Sequence, residues 1–257
     1  GQYVSAALQS AKTMDYLTVL DIVNHKRVIN KVAGANLVKD ADCAFTENSA
    51  TITLTEQVLL VEPFQINIDI CKRNISASML QDWSSGQEDA FMAYCMTFLA
   101  DSIADSVETS IWQGSGSTGT FASISETGMT TDSASGAYTA ANVVANIGSL
   151  VAAIPTSVYG KDDLYIYMNK KTYRFYISAI SALNAFPFNH MGQYTPEFEG
   201  IKIAVCPGMA DNVMYAGQKS NFFFGTSLPS DLTQLKVLDM ENLDGSNNMR
   251  MVAKWTA

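Results

Sequence analysis

The sequence predicts an α+β chain with an N-terminal arm, an extended β-hairpin loop and one long amphipathic helix. Two observations carry this. A strand-rich, two-armed stretch precedes a seven-turn helical stripe, and after that stripe helices and strands alternate before strands take over. With 257 residues, 47% of them hydrophobic, the chain can bury a sizeable core.

The elements follow in order. Residues 1–24 mix small and polar residues with Tyr16, Leu17, Val19, Leu20 and Ile22, a pattern too irregular for a regular element. They read as an extended arm with a short helix, which needs something to lie on. From His25 to Val38, the residues Val28, Ile29, Val32 and Leu37 mark a first strand-like arm. The polar stretches Lys39–Asp42 and Thr46–Ser49 make its tip. The return arm begins at Thr51 and ends in a strict alternation, with Phe64, Ile66, Ile68 and Ile70 on one face and Gln65, Asn67 and Asp69 on the other. An isolated two-armed ribbon is marginal in water, so it is expected to lie on another subunit. Glu47, Asn48, Phe64 and Ile66 are the candidate contacts.

Ser85, with Glu88 three residues on, has capping-box spacing. Met92, Cys95, Met96, Leu99, Ile103, Val107 and Ile111 then recur at three- and four-residue steps, which predicts a helix over 85–112 that is ~40 Å long. On its other side Asp101, Asp105 and Glu108 line up at i, i+4 and i+7. No His stands at the spacing a helical metal site uses, so they read as a solvated face. The same stripe could receive basic residues of a neighbouring subunit, and all three are further candidate intersubunit contacts.

Gly114 to Gly119 formally spells G-x-G-x-x-G, but a dinucleotide loop follows a strand and opens a helix, whereas this one leaves a helix. It reads as a helix terminator, and Gln113–Gly136 as a hinge between domains. Beyond it Thr139 is placed to cap a helix carrying Val143, Ile147, Leu150, Val151 and Ile154, which Pro155 ends. Leu164–Met168 is a compact strand, and Asn169 caps a helix with Tyr173, Phe175, Tyr176, Ile180 and Leu183. Strands are expected at 201–206, 212–215, 221–225, 234–238 and 248–255.

Chemistry is hard to find. The only histidines are His25 and His190, leaving few partners for a Ser-His-Asp or Cys-His system, and the common hydrolase, zinc-protease and P-loop motifs are absent. Neither a catalytic residue nor a cofactor or metal site is assigned. Cys43, Cys71, Cys95 and Cys206 lie far apart and read as reduced thiols, although spacing alone leaves a disulfide open. A net charge of −9 without a basic cluster argues against specific nucleic-acid recognition. No apolar run reaches the ~20 residues of a membrane span, and no signal-peptide pattern is present. Only 16% of the residues are charged, which points to surface covered by partners.

This order of parts resembles the major capsid proteins of tailed bacteriophages, with the fold named after phage Hong Kong 97. The features that carry it are the arm, the two-stranded loop, the 85–112 helix with its Ile111–Gly119 exit, the Asp163–Asn169 strand leading into a helix, and the closing Met249–Trp255 segment. The resemblance implies a structural, non-enzymatic protein of the virion capsid that forms hexamers and pentamers of an icosahedral shell around double-stranded DNA, without reading its sequence. It implies that residues 1–24 are the N-terminal arm, 25–72 the extended loop, 73–124 and 226–257 the peripheral domain with its spine helix at 85–112, and 125–225 the axial domain. Portal, auxiliary or decoration proteins and a maturation protease are implied partners, no membrane is involved, and assembly would occur in the host bacterial cytoplasm. Gly1 would be the mature end left by that protease, or else the end of a trimmed chain. An encapsulin-type nanocompartment shell is the alternative, and a small-molecule enzyme or surface adhesin a more distant one.

Overall fold

A computed structural model describes residues 12–20, 26–35, 38, 40, 43, 51–61, 63–71, 88–114, 130–132, 136–182, 196–226 and 234–256. Three layers organise them around one sheet. Strands β5 (Thr130–Asp132), β6 (Leu164–Met168), β7 (Glu197–Phe198), β8 (Ile201–Val205) and β9 (Met214–Gln218) form a five-stranded sheet in the order β5-β9-β6-β8-β7. Only the central β6–β8 pair is parallel.

Strand β6 explains why Leu164–Met168 is almost wholly apolar. A strand covered on both faces loses the usual in/out alternation. Leu164, Ile166 and Met168 turn to one side, into a core with Val143, Ile147 and Leu150 of α2 (Val143–Ala152) and Tyr176 and Ala179 of α3 (Lys170–Ala182). Tyr165 and Tyr167 turn to the other, toward the last turns of α1 (Glu88–Gln113).

Helix α1 has 26 residues and is therefore about 39 Å long. Leu99, Ile103, Val107 and Ile111 of the expected stripe are buried, joined by Ala104 and by Trp112, which periodicity did not single out. Met92, Cys95 and the capping Ser85 are outside the residues whose side chains are described. The helix stops where Gly114 enters the left-handed region at φ 73°, its N–H still bonded to the Ser110 carbonyl at 2.9 Å. That is the terminator expected from sequence; residues 115–120 fall outside the described set.

One expectation needs correction. The alternating segment does not stay in the hairpin. The two arms β2 (Lys26–Ala35) and β3 (Thr51–Leu60) pair with each other alone, whereas β4 (Pro63–Cys71) joins β11 (Gln234–Asp239) and β12 (Asn248–Thr256) in the order β11-β12-β4. The cause is β4's apolar face: Ile66 and Ile68 pack with Val237, Met251 and Leu99 of α1, a burial the hairpin could not offer. The N-terminal segment finds what it lies on within its own chain. A 3-10 turn, Lys12–Tyr16, places Thr13 and then Leu17 in the core, and β1 (Thr18–Leu20) pairs in parallel with β10 (Phe223–Gly225). Residues 12–20 lie on their own chain.

Local caps are divided. Asn169 caps α3, its Oδ1 accepting the Thr172 N–H at 2.7 Å. Thr139 does not cap α2 with its side chain. The helix starts after Asn142, whose Oδ1 accepts the Thr139 N–H at 2.7 Å and closes a turn before the helix.

Candidate functional site

The largest unexplained feature is the β2–β3 hairpin. Its register sets Val28 opposite Val58, Asn30 opposite Glu56, Val32 opposite Leu54 and Gly34 opposite Ile52. Residues directly opposite in an antiparallel pair share a face, so Val28, Val58 and Leu60 and, beyond the polar Asn30–Glu56 pair, Val32, Leu54 and Ile52 form an apolar stripe interrupted once at its middle. All six are exposed. The other face carries Arg27, Lys31, Gln57, Thr55 and Thr53, with Ile29, Ala33 and Leu59 among them. Each strand has ten residues, so the ribbon is roughly 30 Å long. Among the described residues it is anchored at its root, where Val61 is buried and the half-buried Leu59 meets Gly225. The arms were legible in the sequence. The stripe was not singled out, although the even-numbered alternation from Ile52 to Leu60 was the signal for it.

A stripe of this kind is costly in water. Burying one Val, Leu or Ile side chain that was exposed stabilises by about 1.5–3 kcal/mol, and contiguous apolar patches mark interaction surfaces.

The acidic face of α1 divides in two. Asp101 and Asp105 are exposed, beside the exposed Phe98. Glu108 is only 5% exposed, which corrects its reading as part of a solvated face. The three do share one side of the helix, but the 12–17 turn lies over its last two turns. Thr13 donates its backbone N–H to Glu108 Oε2 at 3.0 Å and its hydroxyl to Oε1, and the same hydroxyl accepts Trp112 Nε1–H at 2.9 Å. Nothing local in the sequence connects residues 95 positions apart.

The other candidates are placed plainly. Phe64 and Ile66 are half-buried on β4 against the chain's own core, while Glu47, Asn48, His25 and His190 fall outside the described residues. Cys43, Cys71 and Cys206 are free thiols. Burial pushes the Cys206 thiol up to about 12, with the Glu108 carboxylate adding to the rise and the Thr13 hydrogen bond opposing it, so it stays protonated and unreactive. Burial likewise raises the Tyr167 phenol, whose hydroxyl donates to the Tyr16 carbonyl at 3.1 Å.

Surface carboxylates have ordinary partners. The hydrogen bond from Arg250 holds Asp69 low, and those from Lys171 and then Asn169 hold Asp211 low. Among the described residues no group of three or more His, Cys, Asp or Glu could hold a metal ion, and no helix is long and apolar enough to cross a membrane.

No family model and no curated protein matches the sequence. Solved structures do match. The capsid of an empty GTA particle is 16% identical, with a TM-score of 0.56 over 96% of this chain and 84% of that one. The capsid of cyanophage P-SCSP1u is 13% identical, with a TM-score of 0.57 over 96% and 83%. The procapsid of satellite phage P4, whose structure includes a size determination protein, is 9% identical, with a TM-score of 0.58 over 99% and 92%. Over nearly its whole length this chain thus shares the mixed helix-and-sheet fold of phage capsid proteins.

Proposed function

We propose that this chain is a major capsid protein of the Hong Kong 97 type, which assembles into hexamers and pentamers of an icosahedral shell around the double-stranded DNA of a tailed phage. The observation that carries the proposal is the hairpin, a ribbon of roughly 30 Å with an apolar stripe that the described residues of its own chain leave bare. A shell subunit gains stability from many modest interfaces, and a projecting ribbon that finds its cover on a neighbour is one of them. The capsid fold supplies the second support.

In this reading the hairpin is the extended loop and α1 the spine helix of a peripheral domain completed by β4, β11 and β12. The five-stranded sheet with α2 and α3 is the axial domain around the capsomer centre. The exposed Asp101 and Asp105 and the tip residues Glu47 and Asn48 are proposed contacts with neighbouring copies, whereas Phe64, Ile66 and Glu108 serve the interior of the subunit. The protein acts as structure, without catalysis or cofactor. Its setting is the virion, with a portal and auxiliary proteins as further partners, and its net charge of −9 disfavours any grip on the enclosed DNA.

Electron microscopy and sedimentation of the purified protein test this. Closed icosahedral particles, hexamers or pentamers are the expected result. A protein that stays monomeric under every assembly condition overturns it, and shells carrying an enzyme cargo in place of DNA would redirect it to a nanocompartment.

A further inference from the structure

Among the described residues the hairpin's main packing against the rest of the chain is at its root, against β10, so whatever fixes that root fixes the direction in which the apolar stripe points. Strand β10 meets both sides of it. On one side β10 pairs with β1, with Thr18 N–H bonded to the Phe222 carbonyl at 2.9 Å and Thr226 N–H to the Leu20 carbonyl at 3.1 Å. Five residues later the chain begins β2 at Lys26. On the other side Gly225 of β10 abuts the end of β3, so closely that a Cβ there would lie 2.8 Å from Val61 Cγ2 and 3.0 Å from Leu59 Cδ2.

A two-stranded parallel pair is a weak anchor, since parallel pairs are the less stable kind and are normally buried within larger sheets. What holds β1 in place lies just upstream. Thr13 supplies donors to both oxygens of the buried Glu108 carboxylate and an acceptor to Trp112, and Leu17 fills the core between Thr13 and β1. This contact has two settings and little between them. A partly lifted turn would leave a buried carboxylate without its donors, which is among the costlier arrangements a protein interior can hold.

We infer that residues 12–20 are a latch, with Glu108 as its keeper, that sets the direction of the β2–β3 hairpin: seated, it fixes the root; lifted, it frees the hairpin to swing. The use of this latch to gate assembly rests on the capsid reading above, whereas the coupling itself is a property of a single chain. Thr13 and Glu108 are positioning residues, acting on the hairpin through β1 and β10.

The experiment separates the two. Spin labels at Val32→Cys on the hairpin and Ala152→Cys at the end of α2, in a background without the other cysteines, report hairpin direction in dilute chain. Trp112 fluorescence, with Trp83 and Trp255 replaced by Phe, reports whether the latch is seated. The parent chain should give one narrow distance. Thr13→Val keeps shape but removes the hydroxyl, and Glu108→Gln leaves one acceptor for two donors. Each should shift the fluorescence and broaden the distance distribution about two-fold, as expected of a locally unfastened segment. Ile147→Val, a cavity in the core on the far side of the sheet, should change neither.

An unchanged distance in either latch variant overturns the inference, as does unchanged fluorescence. Equal broadening in Ile147→Val also overturns it, because the effect would then be general loosening. A latched parent chain that forms no particles counts against the capsid reading alone.

Discussion

Val32 and Leu54 stand directly opposite each other in the hairpin, and each leaves 67% of its surface in water. A cross-strand pair is the unit that stabilises a sheet face, yet among the described residues nothing packs over this one. Replacing Leu54 with Asp should therefore leave the subunit's stability within about 0.5 kcal/mol of the parent, since an exposed site tolerates a charge. Assembly should fail, because a docked stripe would then bury an unpaired carboxylate. Thermal melts and sedimentation velocity on the same preparation check both halves; normal particle yield from Leu54→Asp would show that the stripe is not an interface.

Cys206 gives a pH dependence whose sign is fixed by burial. Its folded-state value, about 12, lies above that of a free thiol, so the folded chain holds the proton more tightly than the unfolded one. Its contribution is fully present below the free-thiol value of ~8.5 and is lost as the pH rises from there toward about 12. The parent should lose melting temperature across this alkaline window, and Cys206→Ala should lose less of it. Thermal melts from pH 7 to about 11 test this.

How much of this was legible depended on how local the cause was. Asn169 could be read as a cap because its partner, Thr172, is three residues away. The Leu164–Met168 run announced a buried strand, and the larger helices and strands from residue 143 onward followed from periodicity, although β7 and the short helical turns at Lys219–Asn221 and Glu241–Asp244 did not. Strand β4 was read correctly as half-buried but given the wrong neighbour, because alternation fixes which face is apolar and not which strand lies alongside. Glu108 was misplaced for the same reason. Helical spacing puts it beside Asp101 and Asp105, and only a turn 95 residues upstream decides that it is covered while they are not. Asn142 in place of Thr139 at the start of α2 shows that even local caps can be shifted, since the earlier residue is consumed by a turn.

Asn169 joins two functions that a pair of substitutions should separate. Its Oδ1 caps α3 while its Nδ2 donates to Asp211 Oδ1 at 2.6 Å. Asn169→Ala removes both and should cost about 1 kcal/mol or more, the usual worth of a cap. Asn169→Asp keeps the capping oxygen but sets it against the Asp211 carboxylate; like charges in contact raise the proton affinity of one of the two, so its deficit should shrink as the pH falls from 7 toward the ordinary carboxylate value of ~4. The deficit of the Ala variant should not shrink in this way. Urea unfolding at pH 7 and pH 4 distinguishes the two; parallel behaviour of both variants would mean the Asp211 contact carries no weight.

Gly208 is a second hold on the end of α1. Its carbonyl accepts Gln113 Nε2–H at 2.7 Å, and its backbone crosses the helix so closely that a Cβ would lie 2.2 Å from the Glu108 carbonyl oxygen. The obstructing atom is helix backbone, which cannot turn aside as a side chain would, so Gly208→Ala must push the 206–209 loop off the helix. Overpacking of this kind costs about 1–3 kcal/mol, and here the loop carries Cys206 and Met209 of the core out with it, placing the expected loss at or above the upper end. Gln113→Ala removes only the hydrogen bond and should cost about 1 kcal/mol. Denaturant unfolding of the two variants checks the ranking; a Gly208→Ala chain no weaker than Gln113→Ala would mean that the loop has room to retreat and that α1 is held mainly by Thr13 and Trp112.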